Sequence, residues 1–355
     1  MKKIVIAFKE SYSDFEQCPA EILKNENPDE LHIFEMEEAY SIQEYKINVN
    51  DPVFDDAVSA GKIKMHCVHL APDTKPADYH LEFPDWDKLA SIQPTRIREY
   101  TPNKVFLSQN HMIGYHRDYL VESLYNKDLL KHGYVSYKQV QFEKHADAIS
   151  IQYKKDKHRT KIKRKWKNSH ELYDFFPFDQ ESHIKEFVYD YFDNPPPPLD
   201  YWEKSLFNIV TESWYKPRAR NTDLISEKTY SCLYHAQPFI IVGCAHMHKF
   251  LREQGYEDYP CFDYSFDSYK SIEERIDCVV QQVEKLCNLP SDQLEKIYHE
   301  IAPIAKRNQQ RFLEDVKSIE LPSILNDNDA VIYPRAKVLK DFMENTKNYA
   351  KNKNL

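Results

Sequence analysis

The stretch from Lys104 to Gly133 constrains the fold most. Val105-Phe106-Leu107 is a compact apolar run, a loop follows from Ser108 to Tyr115, and Tyr119, Leu120, Leu124, Leu129 and Leu130 then recur at helical spacing. Strand, loop, helix is the half-unit of an open parallel sheet, whose ligands sit outside the carboxyl ends of the strands. Gly133 reads as the residue that closes this helix. The same order returns downstream. Leu206 to Val210 reads as a strand ending in Thr211-Glu212-Ser213, and a polar loop with Arg218 and Arg220 follows. A helix then runs from Ser226 to about His235, and Pro238 to Gly243 is the next buried strand. Beyond it come a short helix over 246–254 ended by Gly255, helices near 270–288 and 291–316, and an amphipathic one from Pro334 to about Tyr349.

The amino-terminal part repeats the alternation in a weaker form. Residues 3–8, 31–36 and 62–70 read as short strands, and Glu10 to Lys24 carries apolar residues at roughly helical spacing. The predicted architecture is α/β, with one α/β domain over 1–102, a second over 103–325 and a carboxyl-terminal helical segment over 326–355. A chain of 355 residues is long enough for two domains that each bury a core. Only five glycines are present, and Gly114, Gly133, Gly243 and Gly255 all fall in the segments above, where a side chain is expected not to fit. Pro195 to Pro198 should form a stiff, extended connector.

Targeting and partner classes are narrowed by what surrounds these elements. No apolar run approaches the roughly 20 residues needed to span a bilayer. Ile4 to Phe8, behind Met1-Lys2-Lys3, is too short for a signal peptide and reads as a buried strand. Seven cysteines, Cys18, Cys67, Cys232, Cys244, Cys261, Cys278 and Cys287, are odd in number and form no CxxC pair. Scattered thiols of this kind suit a reducing compartment, so a cytoplasmic protein without a membrane span is expected. A net charge of −9 argues against wholesale nucleic-acid binding. One segment departs from it: Lys154 to Lys167 holds nine Lys or Arg and one Asp. It reads as a solvated loop or hairpin, or as a patch for an anionic acceptor such as nucleic acid or a phosphorylated glycan.

The residues from Leu224 to Tyr230 carry the most chemistry. A helix starting at Ser226 offers free N–H groups and the positive end of a dipole, which suit a diphosphate. Lys228 adds a point charge for the same phosphates, and the Glu227 carboxylate offers two acceptors to a ribose diol. A second reading stays open, in which Ser226 is an N-cap, Glu227 complements the dipole and Lys228 is solvated. His235, His246 and His248 with Cys244 lack ligand-like spacing, so no metal is expected. Asp263, Asp267 and Glu273 read better as a turn before a helix than as an acidic metal motif. No GxGxxG, Walker loop or G-x-S-x-G occurs, so dehydrogenase, NTPase and hydrolase classes lack their usual signals.

Taken in order, these segments resemble the donor site of the α1,3-fucosyltransferase family of glycosyltransferases. Thr211-Glu212-Ser213, Leu224 to Lys228 and Pro238 to Gly243 match its strand end, Thr-Glu-Lys run and Pro-Val strand. Val105 to Asn110, with Arg117 and Leu124, resembles the run that precedes them in that family. The pattern is also similar to glycosyltransferase-like proteins of large phages and other viruses. There the corresponding residues are Asn110 with His116-Arg117, then Ser226 to Thr229 with Pro238-Phe239-Ile240, then Leu251 to Tyr256. The resemblance covers about residues 104–276. It implies a GT-B architecture, two Rossmann-like domains facing a central cleft, and a nucleotide-diphosphate sugar as donor substrate without metal or other cofactor. It assigns Arg117 and Lys228 to phosphate and Glu227 to ribose, with Asn110, Glu212, Arg218 and Arg220 in the donor site. Ser213 stands where the family has Asn.

The acceptor, a glycan or another hydroxyl, lies outside the matched segments. A carboxylate of the first domain is expected to deprotonate it, with Glu35, Glu37 and Glu38 as candidates and Glu10 and Asp14 equally placed. A viral chain of this kind would work in the host cytoplasm. Two alternatives remain at this level: a nucleotide- or glycan-binding protein without turnover, and a transferase that glycosylates modified nucleic-acid bases.

Overall fold

The computed structural model describes residues 1–8, 18–35, 51–67, 102–110, 114–137, 199–212, 215 and 225–352. Among them, two four-stranded sheets form, and every strand pair in both is parallel. The chain divides into two compact units. The first gathers Met1–Thr95, Pro217–Ser231 and Gln310–Leu355; the second holds Arg96–Lys216 and Cys232–Gln309.

The sheet of the first unit is built on β1 (Lys3–Phe8), with β2 (Glu30–Glu35) and β3 (Ile63–Cys67) on one side. Its fourth strand, β8 (Ala330–Ile332), comes from the far end of the chain and pairs with Lys3 to Val5. Ile4, Ile6, Leu31, Ile33, Ile63 and Met65 lie on one face in register and are buried. Ile22 and Leu23 of α1 (Pro19–Glu26) and Phe54 and Val58 of α2 (Pro52–Ser59) complete this core. Both helices begin with proline, which costs no hydrogen bond in a first turn. Asp51 caps α2 by accepting from the Val53 N–H at 2.9 Å. The last helix of the chain, α9 (Pro334–Asn352), packs on β1 and buries Ala336, Leu339, Met343 and Ala350 at helical spacing.

In the second unit the strand order is β5 (Gly133–Tyr137), β4 (Lys104–Asn110), β6 (Ser205–Thr211), β7 (Phe239–Val242). Both β6 and β7 are buried along their whole length, as strands of a covered parallel sheet are; β7 is a continuous apolar run, whereas β6 also buries Ser205, Asn208 and Thr211. Because β5 and β6 flank β4 on opposite sides, the chain reverses its direction of winding between β4 and β6. The helix after β4, α3 (Tyr115–Asn126), ends before Leu129, and Gly133 does not cap it. Gly133 opens β5 in extended conformation. A Cβ there would lie 2.3 Å from the Phe106 ring, so the strand pair itself excludes a side chain. Gly255, by contrast, is required by its backbone, with φ +88° after α6 (Met247–Glu253).

A polar seam joins α3 to α7 (Ile272–Cys287). Tyr115 donates to Glu273 at 2.5 Å, Tyr119 to Asp277 at 3.1 Å, and Lys127 pairs with Glu284 at 2.6 Å. Burial and the Glu273 carboxylate hold the Tyr115 hydroxyl well above its usual range, so it acts only as a donor. Three further helices are α4 (Leu199–Glu203), α5 (Glu227–Tyr234) and α8 (Ser291–Ser318). No helix among the described residues is long and apolar enough to cross a membrane.

Candidate functional site

The carboxyl ends of β4 and β6 are neighbours, and the start of α3 lies against them. Asn110 ends β4 and is buried; Thr211 ends β6, Glu212 follows it, and both are buried as well. The Thr211 hydroxyl lies 3.1 Å from the Gln109 carbonyl and 3.2 Å from Asn110 Oδ1, tying the two strand ends together. Asn110 Nδ2 in turn donates to Ser108 Oγ at 3.1 Å.

The first turn of α3 brings two basic side chains to the same point. Arg117 is 6% exposed. Its Nε donates to Thr211 Oγ1 at 3.3 Å, and its Nη2 to the carbonyls of Thr211 and Glu212 at 3.4 and 3.3 Å. His116 Nε2 sits 2.7 Å from the Glu212 carbonyl oxygen, which can only accept, so this nitrogen carries the proton. The Glu212 carbonyl therefore takes two donors from α3, while its N–H bonds Val242 of β7 at 3.0 Å. Glu212 is held by its main chain on both sides, so the direction in which its side chain leaves the backbone follows from the sheet. Tyr215 packs against His116 at a tilt of 32°, with ring centroids 4.9 Å apart.

Arg275 was not among the residues singled out by spacing. It sits on the apolar stripe of α7, three residues after Ile272 and four before Val279, and is 3% exposed. A charge on such a stripe is the signal that would have found it. Its guanidinium donates to the carbonyls of Gly243 at 2.9 Å, Tyr215 at 3.2 Å and Lys270 at 3.2 Å, and also to that of Tyr269. Among the described residues no carboxylate lies within ion-pair distance of it, and burial lowers its pKa from the ordinary arginine value. Arg275 thus pins the segments that follow β6 and β7. Gly243 permits a close approach here, since a Cβ would meet Met247 Sδ at 2.5 Å and Glu212 Cβ at 3.0 Å.

Glu227 and Lys228 begin α5 in a stretch that groups with the first unit. Their side chains pair with each other at 2.6 Å, and each is about a third exposed (32% and 30%). Ser226 accepts from the Lys228 N–H at 3.3 Å, which is N-cap geometry at the long end of its range. Glu35 closes β2, opposite Phe8 of β1 and Cys67 of β3. Glu10, Asp14, Glu37, Glu38, Ser213, Arg218, Arg220, the basic run Lys154 to Lys167 and Pro195 to Pro198 lie outside the described residues.

The histidines and acids further along have structural partners. His248 Nε2 accepts from the Ile241 N–H at 2.9 Å, and burial lowers its pKa to about 3. Asp267 accepts from the N–H groups of His248 and Lys249 at 3.2 and 2.8 Å, and so caps α6. Asp263 caps the following 3-10 turn through the Ser265 N–H at 2.9 Å. Among the described residues no three His, Cys, Asp or Glu side chains converge in a way that could hold a metal ion. Set against family models, curated proteins and solved structures, the chain matches none of them.

Proposed function

We propose that the chain is a glycosyltransferase that takes a sugar from a nucleotide-diphosphate donor. The observation that carries this reading is the convergence of Asn110, Arg117, Thr211 and Glu212 where the second sheet reverses direction. In open parallel sheets this reversal point is where nucleotides bind. Those residues belong to two of the segments on which the resemblance to the α1,3-fucosyltransferase family rests. In this reading the arrangement is GT-B, with two Rossmann-like domains facing one cleft and the donor in the second. Arg117 holds the strand ends and places fixed positive charge beneath the diphosphate as it leaves. Lys228, released from Glu227, would add a second charge, and Glu227 would take the ribose. The pair's partly exposed position is compatible with that exchange. Arg218 and Arg220 complete the proposed donor set. The acceptor hydroxyl is a glycan's or another's, and the proposed base is Glu35, Glu37 or Glu38.

The test is a thermal-shift screen of the full chain against nucleoside diphosphates and their sugars. A ligand at 100 times its dissociation constant adds about 2.7 kcal/mol. A shift with one base, lost in Glu227→Ala and Lys228→Ala, is expected. Absence of a shift with every nucleotide would remove the donor-site reading. Release of nucleoside diphosphate in the presence of acceptors then separates a transferase from a binding protein without turnover.

A further inference from the structure

The second face of the β1–β2–β3 sheet differs from the apolar one. Register places Lys3 beside Glu30, then Val5, His32 and Lys64 in one row, then Ala7, Phe34 and His66 in the next. A cavity of about 530 Å³ opens on this face. It is lined by Lys3, Glu30, His32, Lys64 and His66 from the strands, and by Asp327 and Ser323 from the segment before β8. With Ile324 the lining comes to eight residues, six of which ionise, which is unusual for the face of a parallel sheet.

The two lysines and two carboxylates balance in number, but their pairing leaves one ammonium without a direct contact. Lys3 Nζ binds Asp327 at 2.8 Å. The Glu30 carboxylate lies 3.3 Å from His32 Nε2. His32 Nδ1 lies 3.0 Å from His66 Nε2, and Phe34 stacks flat on His66 with centroids 4.2 Å apart. Glu30 can only accept, so His32 carries its proton on Nε2 and offers Nδ1 to the His66 N–H. Each carboxylate of the cavity therefore already has a partner. The Lys64 ammonium has no ion-pair partner among the described residues. The two imidazoles use facing nitrogens on one another, which suits a shared proton and not a metal.

We infer that this cavity binds a small oxyanion, a carboxylate or a sulfate- or phosphate-like group, with Lys64 as its charge partner and the His32–His66 pair taking up a proton on binding. Burial and the neighbouring Lys3 and Lys64 charges lower the pKa of His32, while Glu30 opposes them. An anion in the cavity offsets those two cationic neighbours and so favours the charged imidazole pair. Binding then tightens as pH falls. The site is separate from the donor-site reading and stands or falls without it.

Sulfate is the probe of choice, because its charge is constant over the histidine range; formate provides the carboxylate arm. Calorimetric titration of the full chain is expected to show sulfate binding several-fold to about tenfold tighter near pH 6 than near pH 8. Lys64→Gln should weaken it by about tenfold or more, and Lys64→Arg should retain it. Lys228→Ala should leave it unchanged, which separates this cavity from the proposed donor site. Imidazole NMR of the unsubstituted chain repeats the test without relying on a variant that folds. Sulfate must raise the titration midpoint of His32 or His66. Binding that ignores Lys64→Gln, no binding of either anion, or an unmoved histidine midpoint would each overturn the inference.

Discussion

Arg117 and Thr211 stand 94 residues apart in the chain, yet Arg117 Nε lies 3.3 Å from Thr211 Oγ1 at the carboxyl edge of the second sheet. The bond joins the first turn of α3 to the end of β6, across the point where the sheet reverses direction. Removing the guanidinium takes one buried donor from the Thr211 hydroxyl and from the Thr211 and Glu212 carbonyls, although His116 still serves the Glu212 carbonyl. Arg117→Ala should therefore cost about 3 kcal/mol, and Arg117→Lys, which keeps the charge but loses the fork, about 1–2 kcal/mol. Urea unfolding of both variants measures this. An alanine variant as stable as the parent chain would show that Arg117 does not hold these strand ends.

The start of β5 offers a test of packing alone. A Cβ at Gly133 meets the Phe106 ring at 2.3 Å, and Phe106 is fully buried. Gly133→Ala should destabilise by about 2–3 kcal/mol through overpacking. Adding Phe106→Leu in that background should cost less than Phe106→Leu alone, a coupling that a double-mutant cycle reads directly. Additive costs would mean that the strand pair relaxes around the new methyl group.

His248 makes stability depend on pH. Burial lowers its folded pKa to about 3, below the ordinary histidine value, so the unfolded chain binds the extra proton between these limits. Stability from this group is complete above about pH 6.5 and falls with decreasing pH, by at most about 1.4 kcal/mol per unit. Thermal melts across that window should lose this component in His248→Gln, whose amide oxygen can still accept from Ile241. An identical pH slope in the variant would show that His248 does not titrate in this way.

The Glu227–Lys228 pair predicts a clean separation of stability from binding. Both side chains are about a third exposed, and pairs of this kind contribute at most about 1 kcal/mol. Glu227→Ala and Lys228→Ala should each melt within a few degrees of the parent. A loss of nucleotide binding in either would then report on the ligand, whereas a large drop in melting temperature would place the pair in the scaffold.

Most of the elements were legible from local pattern. Apolar runs at β1, β4, β6 and β7, and the periodic helices α7, α8 and α9, lie close to where spacing puts them, because each is dictated by side chains adjacent in sequence. The strand β8 was not legible. It is three residues long, its Val331 is 50% exposed, and it becomes a strand only by pairing with Lys3 to Val5 at the other end of the chain. The helix α2 was missed for a related reason: eight residues between Pro52 and Ser59 show only two turns of periodicity. Gly133 misled because a glycine after a helical pattern usually marks a cap, and its reason here is the Phe106 ring of a neighbouring strand.

The candidate sites divide in the same way. The local pattern drew attention to Glu227 and Lys228 at a helix start, and the family resemblance added Asn110, Arg117 and Glu212, which stand at the strand ends and helix start that the same pattern reveals. Whether two such ends are neighbours is a property of strand order, and a parallel sheet hides it from the sequence, since its pairing partners are always distant. Tertiary structure alone brought Asn110, Arg117 and Glu212 to one point, turned Arg275 inward onto main-chain carbonyls, and set His32 against His66. Each is a long-range contact, and burial then set the energetic stakes, since away from water a polar group must find its partner within the fold.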